Sequence, residues 1–176
     1  MLKLLILAAC LLASPAWAQG RHPNPPPLTH LGVPAANLVT VDLSTRSDFS
    51  TGVVTTDLGV YENGVWTWHF GAAGFEVPKG RTFVVTDAQG WVLHGSGTGT
   101  PASLELMVDH PAGGYWGSLA LFSFHDVPAN ANGVHRQTWT SGIALTEGLR
   151  MRIWVQAFYP TSLLTNARIL VQGYYL

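Results

Sequence analysis

The chain has one cysteine, few charged residues, no sustained helical periodicity and no apolar run long enough to span a bilayer, and each shortage removes a class of explanation. The cysteine is Cys10, inside the leading stretch MLKLLILAACLLASPAWA. That stretch carries one cation, Lys3, then an apolar run from Leu4 to Leu12, and ends on Ala16-Trp17-Ala18, the order of a cleavable secretory signal. The run falls short of the roughly 20 apolar residues a membrane helix needs, so no membrane span is expected. Residues 1–18 are expected to leave as a signal peptide, with a secreted or periplasmic product. Leu7-Ala8-Ala9-Cys10 resembles the sequence before a lipid-modified cysteine, but it stands close to Lys3 and the apolar stretch continues past it, so lipidation is the weaker reading. Once the leader is gone the mature chain is cysteine-free, which excludes disulfides and thiolate chemistry and leaves the fold to an ordinary core.

Charged residues make up 11% of the chain, against about 25% in an ordinary soluble protein, and the net charge is −1. Nothing in that balance steers the protein toward nucleic acid or an anionic membrane. Mean hydropathy is positive. Part of the surface must therefore be apolar or weakly polar, which points to a homo-oligomer or to a partner.

What is present is proline at one end and strand signals over the rest. Residues 19–36 contain RHPNPPPLTHLGVPAA, whose prolines supply no N–H to a sheet, so they read as an extended arm or tether. Residues 37–176 have the length of one domain. Apolar residues recur there at alternate positions or in short runs. Strands are expected at about Leu38 to Leu43, Thr51 to Leu58, Val65 to Phe70, Arg81 to Asp87, Trp91 to His94, Ser103 to His110, Tyr115 to Phe124, His135 to Leu145, Leu149 to Phe158 and Ala167 to Tyr174. Turn chemistry divides them, as in Glu62-Asn63-Gly64, Pro78-Lys79-Gly80, Asp87-Ala88-Gln89-Gly90 and Thr146-Glu147-Gly148.

The pattern predicts an all-β antiparallel β-sandwich. An internal echo refines it. Phe75 to Val85 and Ile143 to Ile153 each have alternating apolar residues, a turn ending in glycine, and another alternating strand. One such unit in each half suits two Greek keys wrapped as a jelly roll. Phe83, Val85, Leu104, Leu106, Val108, Met151, Ile153 and Val155 are the expected core.

Six tryptophans follow the leader, more than a two-layer core about 10 Å thick hides easily. In Gly64-Val65-Trp66-Thr67-Trp68-His69-Phe70, alternation places Trp66, Trp68 and Phe70 on one face and Val65, Thr67 and His69 on the other. Aromatics of that size favour burial, so Trp66 and Trp68 are expected in the core. Trp154 is the indole expected outside. Leu149, Met151, Ile153, Val155 and Ala157 form a wholly apolar set that must face inward, which turns Arg150, Arg152, Trp154 and Gln156 outward. Those four are the candidate ligand-binding residues, suited to stack on a sugar ring or clamp a carboxylate. The alternative is a solvated face on which arginine stems cover an indole.

No catalytic residue, metal ligand or cofactor motif stands out. His69, His94, His110, His125 and His135 show neither H-x-H nor H-x-x-x-H spacing, and the histidine and glutamate pattern of cupins has no match around His94. Asp109-His110 and His125-Asp126 are adjacent pairs that a strand would point to opposite faces, and Ser96 lacks the frame of a nucleophile elbow. Two readings follow. One is an exported non-catalytic binding or assembly module that takes a glycan or protein through an aromatic and arginine face. The other is a secreted hydrolase acting on polysaccharide, its site assembled from dispersed Asp, Glu and His residues.

Overall fold

The computed structural model describes residues 33–48, 53–94, 102–110, 112–125, 127–128, 131–157 and 164–176. The leader, nearly all of the proline-rich arm, Ser96 and Asp126 lie outside the described residues.

Among the described residues a single 3-10 turn, Ala35–Asn37, enters the first of ten strands. They are β1 (Leu38–Asp48), β2 (Val53–Glu62), β3 (Val65–Phe70), β4 (Phe75–Glu76), β5 (Thr82–His94), β6 (Ala102–Asp109), β7 (Tyr115–Phe124), β8 (Asn132–Thr146), β9 (Arg150–Ala157) and β10 (Leu164–Tyr175). Two antiparallel sheets result, one ordered β3-β2-β1-β10-β5-β8 and the other β4-β9-β6-β7.

The pairing has a simple logic. β6 pairs with β7, β5 with β8, β4 with β9 and β1 with β10, so the second half of the chain retraces the first in reverse. The hairpin β2–β3 is added outside β1. The two turns that the sequence echo singles out, after β4 and after β8, each carry the chain from one sheet to the other. They also bind each other: the Val77 amide donates to the Leu149 carbonyl at 2.9 Å, and the Gly148 amide donates to the Val77 carbonyl at 3.1 Å.

The core lies between the sheets. Phe83, Val85, Leu104, Leu106, Val108 and Met151 are fully buried in it with Val41, Ile169 and Val171. Ile153 and Val155 are only partly buried and pack on its margin, Ile153 bordering a gap lined also by Leu43, Ser44 and Thr56.

One expected division is absent. Asp87-Ala88-Gln89-Gly90 forms no turn, and the two short strands expected on either side of it are one strand, β5. Gly90 serves packing there: a Cβ on it would stand 2.6 Å from the Phe122 ring, so the glycine admits an aromatic from the facing sheet.

Candidate functional site

The hairpin β2–β3 turns on Asn63 and Gly64, at φ 53° and 82°. Both central residues in the left-handed region make the two-residue type I′ turn that Asn-Gly favours. Such a turn leaves no freedom of register. It pairs Glu62 with Val65, Tyr61 with Trp66, Gly59 with Trp68 and Asp57 with Phe70.

β2 has already chosen its faces, since Leu58 is buried and Val60 packs on the core. Tyr61, Gly59 and Asp57 therefore point away from the core, and Trp66, Trp68 and Phe70 go with them. Exposure agrees, at 42% for Trp66, 46% for Trp68 and 75% for Phe70. The expectation that Trp66 and Trp68 are core residues is thus corrected. The reason is that the six-stranded sheet is wider than its partner. β3 is its edge strand, and the facing sheet ends in β4, which is only Phe75–Glu76. Among the described residues nothing covers either face of β3, and Val65 on the inner side is as open as the tryptophans. Beneath that inner side lies a cleft of about 300 Å³, lined by Thr67, His69, Phe75 and Tyr175 among others.

The outward aromatics are organised by one another. Alternate pairs flanking this kind of turn are not hydrogen-bonded, which brings their side chains close. Tyr61 and Trp66 form such a pair, with ring centroids 5.4 Å apart. Trp66 and Trp68 lie 5.5 Å apart and within 16° of parallel. Trp68 lies over Gly59, where an added Cβ would stand 2.9 Å from the indole, so the absence of a side chain on β2 gives the ring its seat. The result is an exposed stack of Tyr61, Trp66 and Trp68, with Phe70 following on the same face of β3 to complete the platform.

Beyond the platform the same face holds three neutralised carboxylates among apolar side chains that include Leu170 and the exposed Val134. Asp42, Asp57 and Asp87 are all buried. Arg168 Nε donates to Asp42 at 2.8 Å, Arg46 Nη2 to Asp57 at 2.8 Å and Arg136 Nε to Asp87 at 2.6 Å. Trp91, paired in register with Arg168, adds a half-buried indole.

The outer face of the four-stranded sheet carries Arg150, Arg152, Trp154 and Gln156 together, with Trp154 at 55% exposure. The two arginines hold a carboxylate, and it is the protein's own. Arg150 meets Asp109 with two hydrogen bonds of 3.1 Å, and Arg152 Nη2 reaches the same group at 2.6 Å. The hydrogen bonds from Arg150 hold the buried Asp109 carboxyl below its usual range, against the opposing effect of burial. Trp154 sits in register with Glu105, and Glu105 with the exposed Leu121.

Asp109 is therefore directed at arginines and not at His110, whose Nδ1 accepts from the Ala112 amide at 3.2 Å. His135 packs edge-on against Phe124, and among the described residues no three His, Asp or Glu side chains converge as a metal site.

The platform residues that sequence reasoning missed had a legible signal. The Asn63-Gly64 turn together with the Leu58 and Val60 core positions places Trp66 and Trp68 outward by register alone. The chain matches no family model and no curated protein.

Proposed function

We propose that this is an exported, non-catalytic binding module that holds its ligand against the outer face of the six-stranded sheet, chiefly through Tyr61, Trp66, Trp68 and Phe70. The observation that carries the reading is the pair of exposed, nearly parallel indoles at 5.5 Å, seated on a glycine and continued by a tyrosine. A contiguous exposed aromatic patch marks a binding face, because its exposure to water is unfavourable until something covers it. Sugar rings fit such a patch, their polarised C–H groups meeting the negative faces of the indoles.

Trp154 and Gln156, beside the Arg150 and Arg152 cluster, form a second and smaller contact on the opposite side of the sandwich. The hydrolase reading has less support, since Asp42, Asp57, Asp87, Asp109 and Glu62 are all committed to ion pairs with the protein's own arginines. A jelly roll is the architecture this reading implies. Without the β2–β3 hairpin, the sheets β1-β10-β5-β8 and β4-β9-β6-β7 have the order of a long paired ribbon rolled into two Greek keys. Export follows from the leader, and mass spectrometry of the mature protein should find Gln19 at its amino terminus.

The test is binding to immobilised polysaccharides by the mature protein and by the Trp66→Ala/Trp68→Ala double variant. Loss of binding with an unchanged thermal midpoint supports the platform. Undiminished binding by a folded double variant overturns it.

A further inference from the structure

The register of the six-stranded sheet aligns the platform with a second feature on the same face. Following cross-strand partners from β3 gives Trp66, Tyr61, Thr40, Gln172, Asp87 and Thr138, one residue from each of the six strands. Directly opposed residues share a face, so these side chains form a row at right angles to the strands. The row ends in a concavity of about 390 Å³.

The concavity is a product of an irregularity in β8. Thr138 pairs with Asp87 and Ile143 with Val85, so Trp139-Thr140-Ser141-Gly142 bulges out opposite the single residue Thr86. Gly142 is at φ 69°, and a Cβ there would stand 2.4 Å from a Val84 methyl, so the bulge depends on glycine. Thr40, Thr86, Thr138, Thr140, Gln172 and the half-buried Trp139 are among its lining. Its walls combine these hydroxyls and the Gln172 amide with the apolar Leu38, Val39 and Trp139, and the one acid and one base on it, Asp87 and Arg136, are bound to each other.

Resting on the reading of the platform as a ligand surface, we infer that the ligand is an extended, uncharged polysaccharide that crosses the strands from Trp66 into the concavity beside the β8 bulge. Three observations point to this occupant. Parallel indoles at one end suit ring stacking. Threonine hydroxyls and the Gln172 amide at the other end suit ligand hydroxyls, since each both donates and accepts or offers both groups. Asp42, Asp57 and Asp87 on the face are each neutralised by an arginine, so none of the three is free to select a cationic polymer and none of their arginines is free to select an anionic one. The five spacings between six strands, at about 4.8 Å each, span roughly 24 Å, room for several sugar rings in a line. Tyr61 and Thr40 make the surface continuous between the two ends.

Calorimetric titration with neutral gluco-, xylo-, manno- and malto-oligosaccharides, from disaccharide to hexasaccharide, tests this on the mature protein. Affinity for at least one series should climb with length. The Thr138→Ala/Gln172→Ala variant should lose about tenfold for the hexasaccharide, the effect of one or two net hydrogen bonds, and little for the disaccharide. Trp66→Ala should weaken both. Circular dichroism melts identify variants that fail to fold, and for those Thr138→Val and Gln172→Leu replace the alanines. Loss of all binding in Trp66→Ala with no length dependence in the wild type overturns the crossing path while leaving the platform as a ligand site. Preference for polygalacturonate over every neutral series overturns the uncharged class. No binding to any sugar, with sedimentation showing dimers that Trp66→Ala dissolves, overturns the glycan altogether and makes the platform a contact between two copies.

Discussion

Two tryptophan strands, β3 and β9, obey the same alternation and end in opposite relations to the core. In β9, every residue of one set is apolar, from Met151 to Ala157, so the core has only one face to take. Arg150, Arg152, Trp154 and Gln156 are thereby turned outward, as the pattern requires. In β3 one set is Val65, Thr67 and His69 and the other Trp66, Trp68 and Phe70, and both are exposed. Alternation identifies residues that share a face. It does not say which face, or whether either is covered.

The largest expected effect concerns the charge on the β9 side. Asp109 is 6% exposed and neutralises two arginines, so Asp109→Ala should leave both without their partner and cost roughly 3 kcal/mol in urea denaturation. The sign with pH is fixed by the lowered Asp109 carboxyl. Its contribution is present above the unfolded value of about 3.9 and fades as pH falls through the folded one. A loss below about 1 kcal/mol would mean that the two arginines are free to serve a ligand, which would erase the contrast with the platform.

Next is the sheltered end beneath β3. Burial pushes the Tyr175 phenol up to about 12, the Glu62 carboxylate adding to the effect and Arg81, 4.6 Å above the ring, opposing it. A folded value above the unfolded one of about 10 means that this contribution is intact below pH 10 and disappears between about 10 and 12. Tyr175→Phe should make alkaline destabilisation shallower by an amount on the order of 2 kcal/mol over that window. Equal slopes for the two proteins would remove Tyr175 from the cause.

Smaller effects separate the tryptophans themselves. Trp68→Ala and Trp154→Ala should each lower stability by no more than about 1 kcal/mol, because both indoles are near half exposed and only ring stacking is lost at Trp68. A Trp68→Ala loss of roughly 3–5 kcal/mol in parallel melts would return that residue to the core. The variants should part in binding, where Trp68→Ala is the damaging one.

Smallest in stability is Gly59→Ala. Its methyl meets the far end of the Trp68 side chain, which can move, so the melting midpoint should shift little while iodide quenching of tryptophan increases and binding weakens. An unchanged quenching profile would show that the seat on Gly59 is dispensable.

Much of this was legible before any coordinates. Strand content, the outward face of β9 and most of the core were readable because alternation is a local property of backbone geometry. The continuity of β5 was not, since Gly90 looks like a turn residue until Phe122 arrives from another sheet. The four arginine-held aspartates were not legible either, because Asp42 and Arg168 lie 126 residues apart and meet only through strand pairing.

By itself the sequence determined that β2 and β3 form a tight hairpin, that Trp66, Trp68 and Phe70 share a face, and that β9 presents Trp154 outward. These rest on φ preferences and a two-residue period, which need no partner. Only the tertiary structure decided that β3 lies at the rim of a sheet wider than the one facing it, and that the β8 bulge opens a hollow in register with Trp66. Both depend on where separate strands end relative to one another, and that is set by packing across the core.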